Sequence, residues 1–157
     1  MSSITEKMAE DKMTEAGSDE RLFEISILAR PDRLKLVRAA VREAGKMCNL
    51  LTAEAHDLMI AVDEACQNVI RHGYGGDEGG KIILRAFRTK NGIMVELQDF
   101  APVVDVEKVR PRDLEDVRPG GLGTHFIQTL LDEVRFERPT GGGNLLRMVK
   151  HSKKGSA

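Results

Sequence analysis

The sequence predicts a two-layer α/β (α+β) sandwich, with helices on one face of a mixed, mainly antiparallel sheet. Three stretches, 31–47, 52–72 and 123–131, repeat apolar residues at helical spacing, so each presents one apolar face. The alternating segments come mostly in pairs joined by short turns, which is typical of antiparallel hairpins. Helices with a single apolar face bury it against one face of such a sheet, and this predicts the fold class.

The N-terminal part begins with residues 1–20, which are polar, charged and aperiodic. We expect them to form a mobile tail before a domain that spans 21–151. Residues 22–29 alternate apolar and polar side chains and should form the first strand. Pro31 then opens a helix. Thr52 is predicted to cap the next one.

The second part of the chain supplies the rest of the sheet. A glycine-rich segment, GYGGDEGG, is predicted to be a loop after the second helix. Two hairpins of alternating residues then complete the sheet, 81–88 with 92–98 and 134–137 with 144–150.

Composition indicates a compact cytoplasmic protein. Its 157 residues are 41% hydrophobic, which allows one sizeable core, and its net charge of −1 argues against a surface built mainly for nucleic acid. The sequence shows no stretch of transmembrane length and no apolar signal segment at its start, so no membrane contact is expected. Cys48 and Cys66 lack C-x-x-C spacing and lie in apolar helical contexts, which indicates reduced core thiols.

The most informative segment is LMIAVDEACQNVIRHGY, residues 58–74. Glu64 and Asn68 are four positions apart on this amphipathic helix and stack one turn above the other. A carboxylate can orient and deprotonate an attacking hydroxyl, while a neighbouring amide oxygen binds Mg²⁺. His72 continues the same stripe by another turn. Taken alone, this motif also arises by chance on a charged helix.

Two further motifs follow downstream. Asp99 comes directly after the apolar run of a predicted strand, where a loop opens. Gly120-Gly121-Leu122-Gly123 leads into an apolar-periodic helix. Glycines at a helix start let backbone N–H groups approach an anion closely, and the helix dipole adds to the attraction. Such a run alone is also compatible with a simple turn.

In this order the motifs resemble the ATPase superfamily shared by gyrase, heat-shock chaperones of that type, sensor histidine kinases and mismatch-repair ATPases. VDEACQNVIRHGYGG and GGLGTHFIQTLLDEVRFER look more closely like the small bacterial anti-sigma-factor serine/threonine kinases. The resemblance covers residues 21–151. It implies the histidine-kinase-like ATPase fold, with ATP and Mg²⁺ as cofactors.

The resemblance also implies a role for each motif residue. Glu64 matches the catalytic general base and Asn68 the Mg²⁺ ligand, whereas Asp99 matches the aspartate that accepts a hydrogen bond from the adenine amino group. Further cofactor-binding positions are His72, Ala101, Gly120, Gly121, Leu122, Gly123, Thr124 and His125. Residues between Asp99 and Gly120 match a lid over ATP.

Arginines in that lid have two interpretations. Arg110, Arg112 and Arg118 can reach phosphates or a partner's carboxylates, and they are also compatible with ordinary solvated surface charge.

Three functions are compatible with these residues. The first is an anti-sigma factor with ATP-dependent serine/threonine kinase activity toward an antagonist of the STAS type, which regulates transcription by partner switching. The family it resembles binds a sigma factor and that antagonist, usually as a homodimer. The second is a non-catalytic partner-switching module with a degenerate ATP site. The third is a different ATPase of the superfamily, such as a histidine-kinase catalytic domain, which is disfavoured because the sequence shows no dimerisation helix pair with a phosphoacceptor histidine.

The degenerate alternative depends on two departures from the family's pattern. Ala101 stands where the motif D-x-G-x-G has its first glycine, and an added methyl costs on the order of 1 kcal/mol where the backbone must pass a purine or adopt positive φ. Leu145 and Leu146 follow Asn144 where many relatives carry a threonine that helps hold the adenine. Low nucleotide affinity is the expected consequence.

Overall fold

The computed structural model describes residues 19–102 and 121–153, with 121–124 described by their backbone only. Apart from its last two residues, the predicted tail 1–20 lies outside these ranges. Residues 103–119 of the segment predicted to be a lid, and Gly120, also lie outside them.

The described chain contains five strands and three α-helices. In order they are β1 (Glu20–Leu28), α1 (Leu34–Met47), α2 (Thr52–Asn68), β2 (Lys81–Arg88), β3 (Gly92–Asp99), α3 (Gly121–Leu130), β4 (Glu133–Glu137) and β5 (Asn144–His151). A 3₁₀ turn (Pro31–Arg33) leads into α1, and a π turn (Val69–Gly73) continues α2. Within 19–102 and 121–153, no helix is long and apolar enough to cross a membrane.

The five strands form one sheet in the order β1-β2-β3-β5-β4. Each neighbouring pair is antiparallel, including the predicted hairpins β2/β3 and β4/β5. At one end of the sheet Asp99 is paired with Ile82 on β2 and with Asn144 on β5. This register matters for the site, because it places the end of β3 between two neighbouring strands.

The core lies between one face of this sheet and the helices, which confirms the predicted two-layer sandwich. Helix α2 contacts both α1 and α3, and so it lies in the middle of the helical layer. The largest fully buried side chains come from both layers: Val37, Val41, Leu58, Val62, Ile82, Leu84, Ile93, Val95, Leu97 and Met148. Each such side chain contributes about 1.5–3 kcal/mol when buried, so α2 is held firmly in place by its own core residues.

Three predicted helix boundaries are wrong. The N-cap of α2 is Leu51 and not Thr52, because the Glu54 carboxylate accepts the Leu51 N–H at 2.8 Å and thereby satisfies the helix start. Regular α-helix ends at Asn68 instead of continuing to residue 72. Helix α3 begins at Gly121 and not at Gly123.

Both cysteines are free and buried, as predicted. Burial raises the pKa of the Cys66 thiol and that of the Cys48 thiol, in the second case against the opposing effect of Arg88. A thiol with a raised pKa forms little thiolate, the reactive form, so both cysteines are packing residues.

Candidate functional site

Helix α2 brings Glu64 and Asn68 together at its C-terminal end. Asn68 is 2% exposed, and the Glu64 side chain is 25% exposed. The Arg71 guanidinium lies against both: its Nη2 is 3.5 Å from Glu64 Oε1 and donates a long hydrogen bond of 3.4 Å to Asn68 Oδ1. A cationic group therefore contacts both the carboxylate predicted to be the base and the amide oxygen predicted to bind Mg²⁺.

This donor set fits Mg²⁺. In phosphoryl-transfer sites Mg²⁺ takes one or two protein oxygens, and substrate phosphates and water supply the other ligands. Asn68 offers an amide oxygen, a hard donor of the required kind, and the Glu64 carboxylate lies one helical turn away, where it could take a proton. When bound, the ion neutralises phosphate charge. Because Arg71 contacts both oxygens, it would have to move aside from Asn68 for the amide to bind the ion.

His72 lies on the π turn as an exposed side chain. The Tyr74 N–H donates to the Val69 carbonyl at 2.9 Å, and this spacing of five residues makes the turn wider than an α-helical one. The spacing of His72 predicted that it continues the stripe of Glu64 and Asn68 by another α-helical turn. This prediction is wrong, because His72 lies on the wider π turn.

Asp99 is the last residue of β3 and is 7% exposed. Its Oδ1 accepts two hydrogen bonds of 2.9 Å, one from the Ala101 N–H and one from Asn144 Nδ2. The Asn144 amide also donates to the Ala101 carbonyl at 3.4 Å. Among the residues that the structure describes, both bonds to Asp99 use Oδ1, so Oδ2 is the oxygen that can accept from a base amino group.

Asn144 is a site residue whose contact the sequence did not indicate. It was predicted as the first residue of a strand, in the segment where the resembling family often carries a threonine that helps hold the adenine. Its pairing with Asp99 across β3 and β5 brings the two side chains together over 45 positions of sequence. The pairing register of β3 and β5 would have revealed this contact. The sequence motifs do not contain that register, because each motif covers a single segment.

Gly143, the residue before β5, lies against the backbone of Asp99. It has a φ of +83°, and a Cβ at this position would collide with the Asp99 carbonyl oxygen. Only glycine fits such a close approach at positive φ. The β5 start is therefore pressed against the backbone of Asp99.

Ala101 is 4% exposed, and its methyl group packs against Gly73 at the end of the π turn. A Cβ at Gly73 would lie 3.1 Å from the Ala101 Cβ, which is a tight contact. The methyl at position 101 is therefore accommodated by a glycine opposite. The same contact puts the end of the π turn, which continues the helix of Glu64 and Asn68, beside the residues that follow Asp99.

The glycine motif lies at the start of α3. Gly121 is the first helical residue and Gly123 belongs to the first turn, so the helix starts two residues before its predicted start at 123. First-turn N–H groups have no intrahelical acceptor and stay available to an anion. Leu122 and Thr124 are described by their backbone, and His125 is exposed. Since α3 packs against α2, this helix start belongs to the layer that carries Glu64 and Asn68.

Comparisons with known proteins agree with this geometry. The histidine kinase-like ATPase domain family matches residues 27–150. Serine-protein kinase RsbW from Bacillus subtilis (strain 168) is 28% identical over 128 residues, which are 76% of this chain and 79% of that protein. The anti-sigma F factor of Thermoanaerobacter sp. (strain X514) is 32% identical over 135 residues, which are 83% of this chain and 93% of that protein.

Two solved structures share the fold. The SiaB–SiaC complex from Pseudomonas aeruginosa gives a TM-score of 0.63 at 16% identity and covers 94% of this chain and 98% of that chain. The RsbU and RsbW domains of a Mycobacterium tuberculosis protein give 0.59 at 20% identity, over 84% of this chain and 32% of that chain. At such identities the likeness concerns the fold alone.

A two-layer fold with a carboxylate–amide pair on its central helix, a buried aspartate at the end of a strand and a glycine-bearing helix start is typical of an ATPase of the histidine-kinase type. The chain belongs to the histidine kinase-like ATPase family, in its branch of anti-sigma-factor serine/threonine-protein kinases. Its class is therefore ATP-dependent protein kinase, and the family, the fold and the use of ATP predicted from the sequence are confirmed.

Proposed function

We propose that this chain is a cytoplasmic anti-sigma factor that uses Mg²⁺ and ATP to phosphorylate a serine or threonine of a STAS-type antagonist. The observation that supports catalysis best is the arrangement at the end of α2. There Glu64 and Asn68 direct a carboxylate and an amide oxygen at one cation, the Arg71 guanidinium.

In this proposal each residue has a defined task. Glu64 orients the attacking hydroxyl and takes its proton, and Asn68 holds the metal that neutralises the phosphates. Arg71 has a side chain that is 55% exposed, so it can swing from the two oxygens toward a phosphate. Asp99 selects the base, because its carboxylate accepts from the amino group of adenine, whereas guanine offers a carbonyl at that place.

The alternative is a partner-switching module whose ATP site is degenerate. It rests on Ala101 and on the leucines at 145 and 146. Two contacts weaken it: Gly73 accommodates the Ala101 methyl, and Asn144 supplies a polar side chain at the start of β5 that bonds to Asp99. The leucines therefore do not leave this corner of the site without hydrogen-bonding groups.

Replacing Asn68 by alanine should weaken the binding of Mg²⁺–ATP by about tenfold or more, because one oxygen ligand of the ion is lost. Binding of ATP in EDTA should change little. Calorimetric titration with and without Mg²⁺ measures both. Since Asn68 is buried, thermal unfolding of the same samples checks that the variant is folded. Asn91→Ala, at the exposed turn between β2 and β3, is the matched control. An equal loss in Mg²⁺ and in EDTA would contradict the assignment of Asn68 as metal ligand.

The partners are tested by recovery of complexes from the native cytoplasm with ATP and then with ADP, followed by mass spectrometry. We expect a sigma factor and a STAS-domain antagonist, the latter phosphorylated on serine or threonine after incubation with ATP. Phosphorylation adds charge to the antagonist, which should break its complex and free this chain to hold the sigma factor as a homodimer. Recovery of neither partner contradicts partner switching. Recovery of both without phosphorylation supports the degenerate alternative.

A further inference from the structure

Tyr74 lies directly after the π turn and has a part in the site that the motifs do not give it. Its hydroxyl donates a hydrogen bond of 2.6 Å to the Lys81 carbonyl. The same oxygen accepts the Phe100 N–H at 2.8 Å and the Lys81 N–H at 3.3 Å. A phenol has one proton and two acceptor positions, so these three bonds satisfy it fully.

These bonds lie where the ladder between β2 and β3 stops. The last pair of that ladder is Ile82 with Asp99. By antiparallel geometry the next pair would be Lys81 with Phe100. The Tyr74 hydroxyl instead bonds to the backbone of both, so a side chain replaces the next step of the ladder. The chain thereby leaves the sheet at Phe100, immediately after the carboxylate that faces the base.

The ring of Tyr74 is held as firmly as its hydroxyl. A Cβ at Gly80 would lie 2.6 Å from three ring atoms, which shows that the ring packs on the bare backbone of Gly80. The ring also packs against the hydrophobic core. Tyr74 therefore has little freedom to let Phe100 move.

We infer that Tyr74 is a positioning residue for base recognition, an inference that rests on the proposed ATP site. The hydroxyl fixes the amide of Phe100, and the next amide, that of Ala101, donates to Asp99 Oδ1. The direction of the backbone at Phe100 thus sets the orientation of the Asp99 carboxylate. Tyr74 also follows the turn that continues α2, and so it couples the adenine end of the site to the helix that carries Glu64 and Asn68.

Tyr74→Phe removes the hydroxyl and keeps the ring. We expect ATP affinity to fall about tenfold, and the preference for ATP over GTP to fall by a similar factor, since the carboxylate is no longer held in register. The loss should be the same in Mg²⁺ and in EDTA, because the hydroxyl contacts the adenine end and not the metal pair. Exchange of the Phe100 amide hydrogen should become faster even without nucleotide.

Ser152→Ala is the matched control. It deletes a hydroxyl that also donates to a backbone carbonyl, that of Asn49 at 2.5 Å, beside the opposite end of β3. This variant should bind ATP and discriminate against GTP as the parent does. Thermal unfolding of both variants separates a loss of global stability from a loss of base recognition.

Tyrosine NMR gives a second readout, because Tyr74 is the one tyrosine in the 157-residue sequence. A chain labelled in its tyrosine ring shows one set of ring signals. Adenosine alone should change their chemical shifts, whereas pyrophosphate, which lacks the base, should not.

Three results overturn the inference. One is parental ATP affinity in Tyr74→Phe, and another is an equal loss for ATP and GTP, which would leave discrimination unchanged. With either of these two results, the proposed function still stands if the parent protein binds ATP. The third is a parent that binds no adenine nucleotide, which refutes the proposed site and this inference together.

Discussion

Replacing Glu64 by glutamine should leave ATP bound and slow phosphoryl transfer about a hundredfold or more. Glutamine has nearly the same shape but cannot take the proton of the attacking hydroxyl, and general-base catalysis contributes about 10²–10⁴-fold. The Glu64 side chain is a quarter exposed, at 25%, so an acceptor serine can approach it. Single-turnover transfer from labelled ATP to the antagonist measures the rate, and calorimetry checks that ATP still binds.

Glu43→Gln is the control for this change. Glu43 also lies on a helix and also contacts a cation, Lys46 at 3.5 Å, but its side chain is 70% exposed on α1. Exposed pairs of this kind contribute little, so this variant should phosphorylate at the parental rate. If Glu64→Gln does so as well, Glu64 is not the base. If the parent binds its partners and ATP but transfers no phosphate, the degenerate module is the correct function.

The fold could be predicted from the sequence because its signals are local. The alternation in 81–88 depends only on neighbouring residues, and β2 has these bounds. The spacing of Glu64 and Asn68 is likewise a property of one helix. The predicted bounds of β2 and the predicted placement of Glu64 and Asn68 on one helix therefore match the structure.

The rest of the site depends on contacts between distant segments. Asn144 contacts Asp99 across 45 positions and Tyr74 contacts Phe100 across 26, so neither pair can be read from any window of sequence. The π turn has a different cause. Apolar residues up to Ile70 fit an α-helix. The wider turn is visible in the structure, where the Tyr74 N–H donates to the Val69 carbonyl five residues earlier.

Replacing Asp99 by asparagine should reduce ATP affinity by about 2–3 kcal/mol, or about 30- to 150-fold. The structure gives the reason in terms of donors and acceptors. Oδ1 already accepts from the Ala101 N–H and from Asn144 Nδ2, and Oδ2 is therefore the oxygen that we propose for the adenine amino group. An asparagine amide carries one oxygen and one NH₂ group. If its oxygen replaces Oδ1, the NH₂ group opposes the adenine amino group, and if it is flipped, it opposes the two protein donors.

Calorimetric titration of ATP and GTP into the parent and the variant measures this loss. Asp77→Asn is the matched control, because Asp77 Oδ1 accepts a local bond of 2.9 Å from the Gly79 N–H in the exposed loop before β2. That variant should retain parental affinity. Thermal unfolding of Asp99→Asn in the absence of nucleotide shows how much of the effect comes from the protein donors at Ala101 and Asn144. Equal binding of ATP and GTP by the parent would show that Asp99 does not read the base, since a carboxylate that accepts from an amino group must reject the carbonyl of guanine.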